Sequence, residues 1–249
     1  MTENVGHVPA ALDRPRLALF VRWSLPLLLA FSLGTRLWYA NINPFSYDET
    51  HNLMIGMLAK EGYVPYREIY SVIAPFAVLT MQVSAKIWGA TAGVRILMIL
   101  YGLAGIAALF YLVRQQTRFF PVLAALLAAT FFSFNPHYFF VSTSINLEAG
   151  ALAWGLLSVA VVELYRIRPA WGWLLLSGAL FGLSTTFKVF VPFVPGVIGL
   201  QLLLIVVTER RGSLRAGRTY WEVIKLGIIW LAGVLLVTAF FLAIFDRIE

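Results

Sequence analysis

The feature that most constrains this chain is a succession of apolar stretches near or above 18 residues, separated by short polar intervals. In a bilayer such stretches persist only where every backbone N–H and C=O finds a partner, which leaves helices and closed barrels. No long alternation of polar and apolar residues is present, so the pattern argues against a barrel and for an all-α polytopic transmembrane bundle. Composition agrees: 60% of the 249 residues are hydrophobic and 12% are charged, whereas a soluble domain carries about 25% charged residues. The absence of cysteine excludes disulfide and thiolate chemistry. No small-residue cleavage site follows the first apolar segment, which therefore reads as a retained signal anchor.

Hydrophobic segments are read at 17–40, 92–113, 119–134, 138–165, 171–187, 189–208 and 222–245, about seven spans in a single transmembrane domain over 1–249. A further segment, 71–90, is apolar but interrupted by Pro75, Thr80, Gln82, Ser84 and Lys86. Charge decides whether it crosses. If it does not, twelve of the nineteen basic residues fall on one side, at the amino terminus and near Arg114–Arg118, Arg166–Arg168 and Arg210–Lys225. The positive-inside rule makes that side cytoplasmic. Segment 71–90 is thus expected as an interfacial or re-entrant helix, and 41–91 as an extracytoplasmic loop with two juxtamembrane helices. The expected location is the plasma (inner) membrane, amino terminus inside. On this reading the +7 formal charge is an orientation signal and not a nucleic-acid footprint.

The interval "NPFSYDETHNLMIGMLAKEGYVPYREIY", residues 43–70, carries Asp48, Glu49, Glu61 and Glu68, four of the twelve acidic residues. After Asn43-Pro44 a helix is expected, with Leu53, Met54, Met57 and Leu58 on one apolar face and Asp48 and Glu49 in its first turn. The plain explanation is that these acids complement the helix dipole on a solvated loop. Against it stand other ionisable groups in or beside the spans: His137, Glu148 and Lys188, with Arg36, Arg67, Tyr66 and Tyr70 near the loop. Charge at membrane depth is costly and usually faces a protein interior or a wet cavity. The expected topology puts His137 and Lys188 near the outer surface and Glu148 about 15 Å deeper in its helix. Each also has a bland account, since Lys188 can snorkel and Glu148 can pair with a neighbouring helix. Gly102 and Gly105 are equally suited to packing within the chain or between copies.

An anchor leading into an outer loop with an Asp-Glu pair, then "EGYVPYREIY", then a proline-containing juxtamembrane helix, resembles the GT-C superfamily of integral-membrane glycosyltransferases. The likeness is to the protein mannosyltransferase and aminoarabinose transferase branch, in which "GLSTTFKVFVPFVP", residues 182–195, is similar to a Gly-rich helix followed by Lys and an apolar-proline segment. It covers nearly the whole chain, as an amino-terminal seven-span module to which such enzymes usually add further spans. The stretch "SVIAPFAV" departs from the branch, with Pro75 but no His-Pro-Pro element. The resemblance implies transfer of a sugar from a polyprenyl-phosphate donor to an acceptor at the extracytoplasmic face, by a single inverting displacement. It implies Asp48 as general base, accompanied by Glu49, with Arg67, Tyr70, His137, Glu148 and Lys188 as candidates for binding the lipid phosphate or sugar. No cofactor is expected; the adjacent carboxylates suit a divalent ion, but none is required. Expected partners are the lipid-linked sugar, membrane lipids and membrane protein subunits, with no nucleic acid. The alternative is a non-catalytic scaffold of this fold within a larger membrane complex.

Overall fold

A computed structural model describes residues 14–69, 71, 73–188, 193–209 and 216–246. The described residues are all-α, with no strand. In chain order the helices are α1 (Arg14–Ile42), α2 (Tyr47–Lys60), α3 (Pro75–Trp88), α4 (Ala90–Gln116), α5 (Pro121–Ser133), α6 (Pro136–Val141), α7 (Leu147–Ile167), α8 (Trp171–Thr185), α9 (Phe193–Glu209) and α10 (Ala216–Asp246). Three of them are long and apolar enough to cross a membrane: α4, α7 and the Trp221–Ile244 part of α10. Helices α5, α8 and α9 are apolar but have 13, 15 and 17 residues, or about 20–25 Å of rise against a hydrocarbon core of about 30 Å.

The expected segment 138–165 is corrected by the structure into two pieces. Asn135 caps α6, its side chain accepting from the Tyr138 N–H at 3.1 Å, and Pro136 occupies the first turn. The chain then leaves the helix through Ser142–Asn146. There Thr143 Oγ1 donates to the Phe139 carbonyl at 2.9 Å and Ser144 Oγ to that of Phe140 at 2.7 Å. Hydroxyls that take backbone carbonyls offer the chain an alternative to helix, and three in a row end it. Glu148 is consequently the second residue of α7 and lies in its first turn, not ten residues deep as expected.

Segment 71–90 yields α3, whose 14 residues rise about 21 Å, too short to cross. It packs on α2 and α4, burying Ala77, Val78, Met81 and Ala85 while Leu79, Val83 and Ile87 stay exposed. That pattern is a helix apolar on both faces, one against protein and one outward.

Where helices approach closely, glycine and serine make the interface, as packing without a solvent-driven hydrophobic force requires. A Cβ on Gly178 of α8 would stand 1.9 Å from the Trp230 carbonyl oxygen of α10, and one on Gly233 2.2 Å from that of Leu175. Ser158 and Ser177 donate to each other's carbonyls at 2.8 Å, and Trp230 Nε1–H donates to Ser177 Oγ at 3.1 Å. Gly102 and Gly105 are used within the chain: Tyr138 Oη donates to the Gly102 carbonyl at 2.8 Å and occupies the space over Gly105.

Long-range contacts bring the carboxyl ends of α1, α5 and α8 together with the amino ends of α2, α4 and α7. The opposite end gathers the carboxyl ends of α4, α7 and α9.

Candidate active site

At the first of these ends, Ser46 caps α2 by accepting from the Glu49 N–H at 3.2 Å. This places Tyr47, Asp48 and Glu49 in the first turn, and helical geometry sends the two acids in different directions. Glu49 points inward and is fully buried. Its carboxylate accepts from Arg95 Nε at 2.7 Å and Nη2 at 3.0 Å, and from the Ile145 N–H at 3.1 Å. Arg95 in turn donates to the Ala40 and Asn43 carbonyls at the end of α1 and lies 4.2 Å over the Phe45 ring. One bidentate pair therefore ties α1, α2, α4 and the entry to α7 into a single corner.

Asp48 points outward onto a cleft of about 370 Å³. Four chain segments meet there: His51 and Asn52 of α2, Ile73 and Ala74 before α3, Asn146 to Glu148 at the start of α7, and Phe187 and Lys188 after α8. Asn52 is held by donating Nδ2–H to the Ile145 carbonyl at 2.7 Å. Phe187 fixes the far wall. Its ring lies on Gly150, where any side chain would collide, and meets Phe76 and Tyr101 edge-on at centroid distances of 5.2 Å. Lys188 follows directly and forms an ion pair with Glu148. Each side chain of that pair remains about one-third exposed, 34% and 37%.

The same pair also lines a second cleft of about 540 Å³, mostly apolar, with Phe131, Phe132, Tyr138, Leu152 and Phe193 in its walls and His137 on its rim. Glu148 and Lys188 thus form a charged partition between a cleft richer in polar side chains, which holds Asp48, and a more apolar one that holds His137.

The sequence-derived candidates divide accordingly. Asp48, Glu148 and Lys188 share the first cleft, and His137, Glu148 and Lys188 share the second. Glu49 lines neither and is committed to Arg95. Arg67 lies in the exposed turn 66–68 and lines neither cleft. Tyr70 lies outside the described residues. Arg36, expected beside a polar cavity, is fully buried. It donates to Ser142 Oγ at 2.9 Å, Ser133 Oγ at 3.1 Å and the Ser133 carbonyl at 2.8 Å, with the Phe139 ring beneath it. Glu68 closes its own turn by accepting from the Val64 N–H at 2.8 Å, and Glu61 is exposed beside Lys60. Tyr66 donates to the Ile73 carbonyl, and burial pushes its hydroxyl up to about 12, so it stays protonated. Of the four acids in this interval, Asp48 alone faces a cleft described here.

Sequence reasoning missed His51, Asn52 and Asn146, which are ordinary polar residues until the fold gathers them. It also missed Arg95, although a charge inside the apolar segment 92–113 is the same signal that singled out Glu148. Among the described residues no group of three or more His, Cys, Asp or Glu is arranged to hold a metal ion. A scan of protein-family models, a search of curated proteins and a search of solved structures each find no match to this chain.

Proposed function

We propose that the chain is a membrane glycosyltransferase of GT-C type, moving a sugar from a polyprenyl-phosphate donor to a hydroxyl acceptor at the extracytoplasmic face. The observation that carries this reading is the partition. A carboxylate, Asp48, lines a cleft rich in polar side chains whose far wall holds a cation, Lys188, and that cation also fronts a more apolar cleft. A lipid-linked sugar needs these two environments side by side, one for the sugar and phosphate and one for the tail.

In this proposal Asp48 takes the proton of the acceptor hydroxyl as its oxygen bonds to the anomeric carbon. The bond from that carbon to the phosphate oxygen breaks, its electron pair leaves on polyprenyl phosphate, and the centre inverts. Lys188 exchanges part of its contact with Glu148 for the departing phosphate, where charge develops. Its place in the cleft favours Lys188 over Arg67 for that role. His137 stands at the apolar cleft's rim, within the same partition. Glu49 acts as a positioning residue, since its bond to the Ile145 N–H and its pair with Arg95 set the cleft's two walls. Seven membrane crossings, with the basic end cytoplasmic and α2 and α3 lying at the outer surface, belong to the same proposal. The concentration of Arg114, Arg118, Arg166 and Arg168 at the end opposite Asp48 supports it.

The test is Asp48→Asn, assayed for transfer from polyprenyl-phosphate sugars in membranes. The expected result is a loss of about 10²-fold or more, with insertion and thermal stability unchanged because Asp48 is exposed at the cleft's edge. Full transfer by the variant refutes Asp48 as the base. A wild-type chain that neither transfers sugar nor binds the lipid favours the scaffold alternative.

A further inference from the structure

At the opposite end of the bundle, α4, α7 and α9 enclose the largest of the clefts described here, about 660 Å³. Its walls are apolar, and Val197, Leu200 and Leu204 of α9 stand exposed along it, at 41%, 57% and 51%. Its end is polar. Glu163 is buried there and accepts from Gln116 Nε2 at 3.2 Å, Gln201 Nε2 at 3.1 Å and Arg166 Nε at 2.7 Å.

Two features of this end are not accounted for by the fold. Gln201 is 8% exposed, and its Oε1 has no hydrogen-bond partner among the described residues. The amide cannot gain by flipping, since that would turn its oxygen toward the Glu163 carboxylate. A buried acceptor left unpaired costs about 1–3 kcal/mol, so this atom is suited to a donor supplied from the cleft. Charge is the second feature. Among the described residues Arg118 and Arg166 line the cleft against one carboxylate, Glu163, an excess of one positive charge. Among the described residues Arg166 engages only its Nε–H, and its two terminal nitrogens make no hydrogen bond.

We propose that this cleft binds one anionic glycerophospholipid whose headgroup carries hydroxyls. The phosphate meets Arg118 and Arg166, a headgroup hydroxyl donates to Gln201 Oε1, and an acyl chain lies along α9. The dimensions agree. Arg166 and Leu152 are 14 residues apart on α7, or about 21 Å, and one leaflet with its headgroup region is about 20–22 Å thick. Leu152 and Phe193 line this cleft and also the apolar cleft beside Lys188, so the tail end of the bound lipid abuts the candidate active site. The inference does not rest on the transferase reading, because none of its groups takes part in transfer.

The experiment uses the full chain in detergent micelles, titrated with phosphatidylglycerol, phosphatidic acid, phosphatidylcholine or sn-glycerol 3-phosphate and read by native mass spectrometry and thermal shift. Phosphatidylglycerol is expected to bind at least tenfold more tightly than phosphatidylcholine and at least threefold more tightly than phosphatidic acid, and glycerol phosphate not at all. Arg118→Gln alters an exposed residue that the fold does not depend on, and it should weaken phosphatidylglycerol at least threefold. Gln201→Leu should reduce the preference for phosphatidylglycerol over phosphatidic acid to about one, without lowering the melting temperature of the lipid-free protein by more than a few degrees. Equal binding of phosphatidylcholine, an Arg118→Gln variant with unchanged affinity, or a Gln201→Leu variant that keeps the preference would each overturn the proposal. So would a second copy of the chain occupying the cleft in a stable dimer.

Discussion

Two ion pairs stand at the same end of this bundle, and they differ in almost everything except their chemistry. Glu49 and Arg95 join in a bidentate contact, with side chains 0% and 10% exposed, and every oxygen of the carboxylate is engaged. Glu148 and Lys188 meet at single atoms, remain one-third exposed, and face two clefts. A buried pair is strongly destabilising to break, because the surviving partner is left as an uncompensated charge. An exposed pair contributes little, because water and salt replace each partner readily. The first arrangement suits a joint between helices, and the second a contact that a ligand can displace.

Breaking the buried pair should give the largest effect on stability. Glu49→Ala leaves Arg95 buried among α1, α2 and α4 without its carboxylate, and should destabilise the protein by about 3–5 kcal/mol. Thermal unfolding in detergent measures this, and low yields of folded protein are the expected companion. Replacing both residues together by Leu and Met should recover part of the loss, since apolar substitutes of similar volume leave no stranded charge. A double variant as unstable as Glu49→Ala would show that the Ala40, Asn43 and Ile145 contacts, and not the charge pair, hold the corner.

A gentler change sharpens the same contrast. Arg95→Lys keeps the charge and loses the fork that reaches Glu49, Ala40 and Asn43 together. A cost of about 1.5–3 kcal/mol is expected, the range for hydrogen bonds to charged groups, read again as a shift in thermal unfolding. No measurable shift would mean that one point charge suffices and the bidentate geometry is incidental.

These long-range pairings mark the limit of what the sequence discloses. The all-α class is legible because lipid leaves the backbone no other inexpensive solution, and α1, α4 and α10 lie within six residues of their expected bounds at each end. The break at Ser142–Asn146 is not legible from hydropathy, because Tyr138, Phe139, Phe140 and Val141 keep the average high up to it. What ends α6 is the run of hydroxyls on Ser142, Thr143 and Ser144, which donate to backbone carbonyls. At the site, charge in an apolar context draws attention to His137, Glu148 and Lys188, and the acidic interval to Asp48; the fold places all four along clefts. It cannot tell that Glu49 belongs to Arg95, 46 residues away, or that Arg67 lies elsewhere, because pairing is a property of the folded topology.

The smallest expected change in stability completes the comparison. In a double-mutant cycle of Glu148→Gln and Lys188→Met, the coupling should be below about 1 kcal/mol, as for other solvent-accessible pairs. Their effects on function should diverge from this. Lys188→Met removes the cation that fronts both clefts and should reduce lipid-phosphate binding at least tenfold, while Glu148→Gln releases Lys188 and should leave that binding equal or tighter. Thermal unfolding and a polyprenyl-phosphate binding assay on the same four proteins separate the two readouts. A coupling of several kcal/mol would make this pair a second structural joint, and the distinction between a fixed corner and a displaceable partition would collapse. A small coupling with weakened lipid binding in Glu148→Gln would instead assign the carboxylate, and not the lysine, to the ligand.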